Sequence, residues 1–364
     1  PGRAGIVKLD ASANVLIRNG GQVNVGVLDG GSGNGAIRVN AGAVLLDGGN
    51  LVDGPSTGLF GGLPSIFSGL VSVGSPIDVV ARSIRLTGGA AVDSSSGGDG
   101  SSGSIHLRAN DIAITDGASV SASSFGNGRS GGITLQANTV LVSGKGSVVN
   151  ASTRDAIAGD ILIGQQGTST VPSIAGDIAI VPGMISLQEG ARVFSATLGK
   201  GQGGAVLLRG NEVNLAGNSV IGVGTGLGAM GAPATAGVVD VRAETLRMSG
   251  SSNINADNFG SRAGGSISLN VGSLLMSDAS VRTQNLFSPS GRGGDLTIDA
   301  RGVVSMERSL ITAEATAGQA GSLKISAAQM TMSSGAIRGN GYVGGRPGNI
   351  VLVVKGLLTL EREA

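Results

Sequence analysis

Apolar residues in this chain recur in pairs two positions apart, and three such pairs fall within each stretch of about 28 residues. In residues 103–130 the pairs are Ile105/Leu107, Ile112/Ile114 and Val120/Ala122. Alternation with a period of two is typical of short β-strands that bury one face. The following stretch carries the corresponding pairs Ile133/Leu135 and Val140/Val142, so the chain is built from a repeat.

The residue that opens the first strand of each repeat defines eleven copies along the chain. These positions are Ile37, Ile77, Ile105, Ile133, Ile178, Val206, Val239, Ile267, Leu296, Leu323 and Ile350. A second aliphatic residue follows each of them by two positions. A further apolar residue follows by seven positions, giving Val44, Ile84, Ile112, Val140, Ile185, Val213, Leu246, Leu274, Val303, Met330 and Leu357. Agreement at three positions in eleven copies decides the architecture.

The repeat predicts an all-β parallel solenoid. Each unit of roughly 28 residues holds three short strands and is too small to bury a core alone, so neighbouring coils must stack. With 67 glycines spread along the chain, helices are disfavoured. Counting an irregular first turn over residues 1–36, about eleven to twelve coils at a strand spacing of about 4.8 Å give a rod of roughly 50–55 Å. We expect one domain over residues 1–364.

Three segments interrupt the repeat and are predicted to be inserted loops. They are residues 53–74, 164–177 and 222–237. Each combines glycine, proline and apolar residues without a strand or helix period. Because insertions in solenoids map to surface loops that commonly bind partners, these segments are candidate contact sites.

Composition excludes several classes of function. Lys and Arg together number 25 against 24 Asp and Glu, with no run of like charges, which argues against a nucleic-acid partner. No apolar stretch is long enough for a membrane-spanning helix, and no signal segment opens the chain. There is no cysteine, so disulfides, thiolate metal sites and cysteine nucleophiles are excluded. The chain begins within a partial repeat, from which we expect a processed product or a portion of a longer protein.

Glycine-rich motifs in the chain fit corners better than ligand sites. Segments 126–131 and 199–204 have the glycine spacing of a dinucleotide-binding loop, but strands rather than helices are expected to follow them. Segment 30–38 resembles a calcium-binding nonapeptide repeat, yet Gly35 stands where an aspartate ligand is needed. We therefore expect turns at all three, with no cofactor and no metal.

Few residues could carry catalysis. His106 is the only histidine and lies between two inward residues, so a solvent-facing side chain is expected. Asp278 and Glu307 each stand 11 positions after the start of their coil and could stack as a carboxylate pair of the kind that glycoside hydrolysis needs. A structural turn is the favoured interpretation, because Asp116, Glu189 and Ser334 recur there.

Three phenylalanines share a column 20 positions into their coils. These are Phe125, Phe259 and Phe287. They could form an aromatic platform for a sugar, although a corner filler is the favoured interpretation. Asn110 and Asn138 also share a column, where their side chains could hydrogen-bond from coil to coil. No catalytic, cofactor-binding or metal-ligating residue is assigned.

Units such as GGITLQANTVLVSGKGSVVNAST and GDIAIVPGMISLQEGARVFSATLGKGQGG resemble the repeats of filamentous-haemagglutinin-like exoproteins. The resemblance covers about residues 30–360 and implies a right-handed parallel β-helix, secreted by the two-partner route of Gram-negative bacteria. It implies an outer-membrane transporter as the partner in export and an extracellular or cell-surface location. The amino-terminal secretion domain of that family is missing, so a middle or carboxy-terminal portion is expected.

Two classes of function remain open at this stage. The leading hypothesis is a structural and adhesive rod, not an enzyme, that binds cells, surfaces or glycans, with host-cell or matrix glycans as candidate ligands. The alternative is a polysaccharide lyase or hydrolase on the same scaffold. A crystal-binding face would need a threonine ladder, which the outward positions following the strand starts do not provide.

Overall fold

The computed structural model describes residues 4–28, 35–49, 56–62, 72–165, 169–171, 178–180, 183–226, 229–230, 233–286 and 291–361. These residues form 34 strands and contain no α-helix. The first strands in chain order are β1 (Ile6–Arg18), β2 (Gln22–Asn24), β3 (Val27–Leu28), β4 (Ala36–Asp47), β5 (Gly58–Phe60), β6 (Ser72–Val73), β7 (Ile77–Thr87), β8 (Ala91–Asp93), β9 (Ile105–Arg108), β10 (Asp111–Thr115), β11 (Ser119–Ser121), β12 (Ile133–Gln136), β13 (Thr139–Ser143), β14 (Val148–Asn150), β15 (Ile161–Gly164), β16 (Ser169–Val171) and β17 (Ile178–Ile180). They are followed by β18 (Met184–Gln188), β19 (Arg192–Phe194), β20 (Ala205–Arg209), β21 (Glu212–Leu215), β22 (Val220–Gly222), β23 (Val238–Ser249), β24 (Asn253–Asn255), β25 (Ser266–Ser277), β26 (Ser280–Asn285), β27 (Leu296–Ala300), β28 (Val303–Glu307), β29 (Leu310–Ala315), β30 (Leu323–Ala327), β31 (Gln329–Ser333), β32 (Ala336–Arg338), β33 (Ile350–Val354) and β34 (Leu358–Glu361).

Equivalent strands of successive coils pair in parallel, which confirms the predicted solenoid. The ladder of first strands runs through Val7, Ile37, Ile77, Ile105, Ile133, Ile161, Val206, Val239, Ile267, Leu296, Leu323 and Ile350. First and second strands together form a 19-stranded sheet, and the third strands form an 11-stranded sheet. Each coil therefore contributes its first and second strands to the larger sheet and its third strand to the smaller one.

The core lies inside this coil and consists of aliphatic stacks. In the coil that begins at Ile105, the side chains of Leu107, Ile112, Ile114 and Val120 are at most 1% exposed. The residues between them alternate outward, as the burial of β9 to β11 shows. Because each inward residue stacks on its equivalent one coil away, burial is shared between neighbours and not achieved by any single coil.

One predicted strand start is wrong, and an inserted hairpin is the reason. Ile161, not Ile178, pairs with Ile133 on one side and with Val206 on the other. Ile178–Ile180 instead pairs antiparallel with Ser169–Val171. The predicted insertion at residues 164–177 thus extends to residue 183, between β15 and β18.

Two of the apolar residues predicted seven positions after a strand start are displaced by one residue. Leu274 pairs with Val304, and Met330 pairs with Leu358, so the predicted Val303 and Leu357 are not the equivalent residues. Val304 is fully buried, whereas Val303 is only half-buried. In these two coils the spacing from the strand start to the equivalent residue is eight positions instead of seven, from Leu296 to Val304 and from Ile350 to Leu358.

The other two predicted insertions contain scaffold residues. Within 53–74, β5 pairs with β2 and β8 in the third-strand sheet, and Leu59 is fully buried. The prediction that no strand lies there is therefore wrong. Within 222–237, Thr225 and Thr235 each bridge to the preceding coil, which confines the interruption to the residues between them.

A column of glycines precedes the first strands. A Cβ at any of these positions would overlap the carbonyl oxygen of the glycine one coil earlier: Gly131, Gly159, Gly204, Gly237, Gly265, Gly294, Gly321 and Gly348. Backbones of successive coils thus approach here more closely than a side chain allows. The abundance of glycine in the composition is in part explained by this column.

A second column, at the corner after the third strands, is polar and buried. Parallel bridges link Ser96, Ser124, Thr153, Thr197 and Thr225 in series. The hydroxyl groups of this column form hydrogen bonds with nearby backbone groups. The Thr153 Oγ1, for example, donates to the carbonyl oxygen of Gly128 at 3.2 Å. Buried hydroxyls therefore satisfy backbone groups that the corner would otherwise leave unpaired.

Candidate binding groove

A surface groove of about 910 Å³ lies at the corner between the second and third strands of three consecutive coils. We call it the corner groove. Its lining includes the side chains of Lys145, Val148, Glu189, Arg192, Phe194 and Asn218. The volume is in the range typical of small-molecule sites.

The third-strand sheet positions the floor of the corner groove. Arg192 pairs with Val148 of the preceding coil and with Val220 of the following coil. Phe194 lies two residues after Arg192 in the same strand. The intervening Val193 is fully buried. Because side chains alternate along a strand, Arg192 and Phe194 both project outward, two residues apart, next to rows spaced about 4.8 Å away.

A left-handed turn in each coil forms the rim. Glu189 has φ of 54° and Asn218 has φ of 63°. This conformation is uncommon for residues other than glycine, and it reverses the chain sharply between the second and third strands. The Ser143 hydroxyl donates to Glu189 Oε2 at 3.0 Å, which fixes the carboxylate at the groove edge.

Gly222 makes room for the aromatic ring on the floor. A Cβ at position 222 would lie 2.7 Å from Phe194 Cε1 and 2.8 Å from Phe194 Cδ1. The ring therefore occupies the space above Gly222 that a side chain would fill. Phe194 remains half-buried, so part of the ring faces the groove.

Two cations line the same groove without a carboxylate partner. Lys145 and Arg192 are both exposed, and neither forms an ion pair with any residue that the structure describes. Elsewhere in the described chain arginines pair readily, as Arg209 does with Asp240 at 2.6 Å. The positive charge of Lys145 and Arg192 is therefore available to an anion that enters the groove.

His106 lies on the outer face of the first-strand sheet, as its position in the pattern predicts. It pairs with Asp78 in the neighbouring coil, and its Nδ1 lies 3.0 Å from Asp78 Oδ1. This hydrogen bond lowers the pKa of Asp78, against the opposing effect of partial burial. The pair is a hydrogen-bonded contact between neighbouring coils on this outer face.

Asp278 and Glu307 are not stacked opposite each other. Glu307 pairs with Ser277, and Asp278 lies beside Arg308, which has φ of 44°. The Arg308 guanidinium binds both Asp278 oxygens at 2.9 Å and also bonds Glu307. The hydrogen bond from Arg308 lowers the pKa of Asp278. A sugar hydrolase needs one carboxyl with a raised pKa as its acid, and Asp278 does not supply it.

The structural interpretation of the Asp278 column is supported by its backbone. Asp116, Glu189, Asp278 and Ser334 all have φ between 50° and 54°. They occupy the same left-handed turn in different coils. Aspartate, as at Asp116 and Asp278, tolerates this conformation better than most residues because its short polar side chain can hydrogen-bond locally.

The predicted aromatic column does not assemble a platform among the described residues. Phe125 is 47% exposed, and Phe259 is half-buried several coils away. Phe287 lies outside the described residues. Phe194, which the column did not include, is the aromatic residue at the corner groove.

The glycine motifs and the asparagine pair occupy turns. Residues 126–131 and 199–204 are followed by β12 and β20, so neither opens a helix. The backbone N–H of Asn138 donates to the backbone carbonyl oxygen of Asn110 at 2.9 Å, which links the coils at this turn. The part of 30–38 that would hold calcium lies largely outside the described residues.

Across the described residues, no three His, Asp or Glu side chains come together as a metal-binding group. In the same part of the chain, no helix has the length and apolarity needed to cross a bilayer. Comparison with family models, curated proteins and solved structures finds no match to this chain. Function must therefore be argued from the rod and its surface.

Sequence reasoning did not find the corner groove. Phe194 and Gly222 are 28 positions apart, one repeat length, which is the signal that could have paired them. Lys145 and Glu189 are 44 positions apart because the hairpin insertion lies between them. Only the strand register brings these residues to one corner.

Proposed function

We propose that this chain is a structural and adhesive rod, exposed at the cell surface or secreted, which presents binding surfaces away from the cell. The observation that carries the proposal is the unbroken parallel ladder from Val7 to Ile350. Eleven rung spacings of about 4.8 Å make a rod of roughly 53 Å. Nearly all of the described chain builds this rod, and the interruptions lie between its strands, where they do not disturb the stack.

The resemblance of the repeats to filamentous-haemagglutinin-like exoproteins supports the location and the export route. We propose export through an outer-membrane transporter of the two-partner type and adhesion to cells, surfaces or glycans. A chain without cysteine is compatible with this route, because no disulfide has to form or be broken during passage.

The hairpin insertion offers a clean test of adhesion. The neighbouring coil joins β12 to β13 through Ala137 and Asn138 alone. Replacing residues 165–183 by Ala-Asn should therefore join β15 to β18 in the register of that coil. We expect the parent chain to bind host cells or a glycan array, and the hairpin-deleted variant to bind more weakly while its circular dichroism stays that of a β-solenoid.

The same sample distinguishes adhesion from catalysis. Failure of the parent chain to bind any cell or glycan surface would overturn the proposal. Release of reducing sugar from a polysaccharide, abolished by Asp278→Asn or Glu307→Gln, would instead establish the enzyme alternative. A deletion of residues 53–74 is not suitable, because it would remove β5 from the third-strand sheet.

A further inference from the structure

We infer that the corner groove binds a saccharide that carries a carboxylate, such as a chain of hexuronic acids. The inference deepens the proposed function by naming a ligand class, and it rests on that function for its biological setting. It stands on three features of the groove: an aromatic floor, two cations without ion-pair partners, and one fixed carboxylate on the rim.

The aromatic floor matches one face of a pyranose ring. The C–H groups of a sugar face pack on the electron-rich face of an aromatic side chain. Phe194 is held by the strand pairing of β19 and by the space above Gly222. A ring that is fixed before binding loses little side-chain entropy when the sugar arrives.

The cations match a carboxylate on that sugar. Arg192 is in the same strand as Phe194 and two residues away, so both project from one outer face. A guanidinium forms paired hydrogen bonds to a carboxylate, and it does so more specifically than an ammonium. Lys145 approaches from the rim of the preceding coil and adds positive charge without a fixed geometry.

Glu189 excludes a densely charged polymer. Its carboxylate lies in the same groove and is bonded to Ser143, so it would repel a chain of closely spaced sulfates. It can accept hydrogen bonds from sugar hydroxyls. A ligand with one carboxylate per ring and free hydroxyls satisfies the cations, the aromatic floor and Glu189 together.

The direct test is titration of the 364-residue chain with a tetragalacturonate, observed by calorimetry or by ligand NMR. The matched control ligand is the same tetrasaccharide with its carboxylates methyl-esterified. We expect binding of the acid form, and at least tenfold weaker binding of the ester. Equal binding of the two forms, or no binding of the acid at millimolar concentration, would overturn the inference.

Three variants locate the site. Arg192→Gln should weaken binding about tenfold or more through loss of the paired hydrogen bonds. Gly222→Ala keeps both cations but pushes the Phe194 ring from its place, and a several-fold loss is expected. Arg85→Gln removes an exposed arginine on another sheet and should leave affinity unchanged. If Arg85→Gln weakens binding as much as Arg192→Gln, attraction is general and the groove is not the site.

Failure of this inference can be told apart from failure of the proposed function. Uronate binding that Arg192→Gln abolishes, in a chain that adheres to no cell, would support the groove and contradict the adhesive role. Cell adhesion that tetragalacturonate does not compete, in a chain that does not bind it, would do the reverse. Tighter binding of a sulfated polysaccharide than of uronate would contradict the carboxylate assignment.

Discussion

At the scale of single residues, the outer face of the third-strand sheet contains one charged pair that is poorly satisfied. Asp257 Oδ2 lies 2.7 Å from Arg282 Nη2, while Asp257 Oδ1 and Arg282 Nε are buried with no hydrogen-bond partner among the described residues. Burial raises the pKa of Asp257, and Arg282 opposes that shift. The pair therefore depends on a single hydrogen bond to offset the desolvation of a carboxylate.

Removal of that bond should produce a defect that grows with pH. In Arg282→Gln the buried Asp257 loses its counter-charge, so we expect a loss of about 1–3 kcal/mol in the free energy of unfolding at neutral pH. A carboxyl whose folded pKa is raised contributes its full stability below its unfolded pKa of about 3.9 and loses it as pH rises through the folded pKa. The deficit should therefore be small near pH 4 and largest at pH 7.

The measurement is the denaturant midpoint of Arg282→Gln and of the parent chain across this pH range. The double variant Asp257→Asn with Arg282→Gln is the control, since it has no buried carboxyl to titrate and should show no growing deficit. A deficit of the same size at pH 4 and pH 7 would mean that packing of the arginine stem, and not its charge, stabilises the fold.

At the scale of strands and turns, the glycine column sets how closely successive coils approach. Gly131 and Gly132 are adjacent, yet a Cβ at 131 would overlap the Gly103 carbonyl, whereas a Cβ at 132 would lie 3.5 Å from the nearest atom, the Asp160 carbonyl oxygen. Neither glycine has a positive φ, so backbone strain does not separate them. The two positions differ in how closely the backbone of the neighbouring coil approaches them.

This neighbouring pair gives a matched prediction. Gly131→Ala should cost about 1–3 kcal/mol in the free energy of unfolding, because the backbone of one coil must move away from the next. Gly132→Ala should be neutral or slightly stabilising through the lower entropy of the unfolded chain. Denaturant midpoints of both variants decide the matter, and equal destabilisation of the two would show that glycine flexibility, not close approach, is what this corner requires.

Strands could be predicted from sequence wherever the spacing within a coil is uniform. Ile105, Ile133 and their equivalents were found because an apolar residue follows each by seven positions. Ile161 was missed because the inserted hairpin separates it from Ile185, while Ile178 has the expected spacing to Ile185 by coincidence. Period-two alternation identifies a strand but not its partner, so an inserted hairpin is indistinguishable from a rung.

The corner groove could not be predicted for a related reason. Its lining comes from three coils, and one of these contains the insertion whose length the pattern did not fix. The turn residue Glu189 was visible as a member of a recurring column, but its common edge with Arg192 and Phe194 depends on the register of the third-strand sheet. A site that is lined by several coils can be recognised only when the strand register of every one of those coils is known.

At the scale of the whole molecule, coils contact mainly their immediate neighbours, so the rod should tolerate a change in the number of coils. Deleting residues 105–132 removes one complete coil, because Ile105 and Ile133 hold the same place in the ladder. The deletion should let β7 pair with β12 and β8 pair with β14 through existing side-chain stacks. We expect the same β-type circular dichroism per residue and a rod shorter by about 4.8 Å.

Register, not length, should decide whether such a deletion folds. Deleting residues 105–118 removes fewer residues but takes out β9 and β10 while leaving β11, so one coil would lack both strands of the 19-stranded sheet. The inward side chains of the first and second strands in the two neighbouring coils would lose their stacking partners, and we expect an aggregated or unfolded product. Small-angle X-ray scattering of the two variants compares their longest dimensions. If the half-coil deletion folds as well as the whole-coil deletion, stability would not come from neighbour stacking, and the nearest-neighbour description of this rod would have to be abandoned.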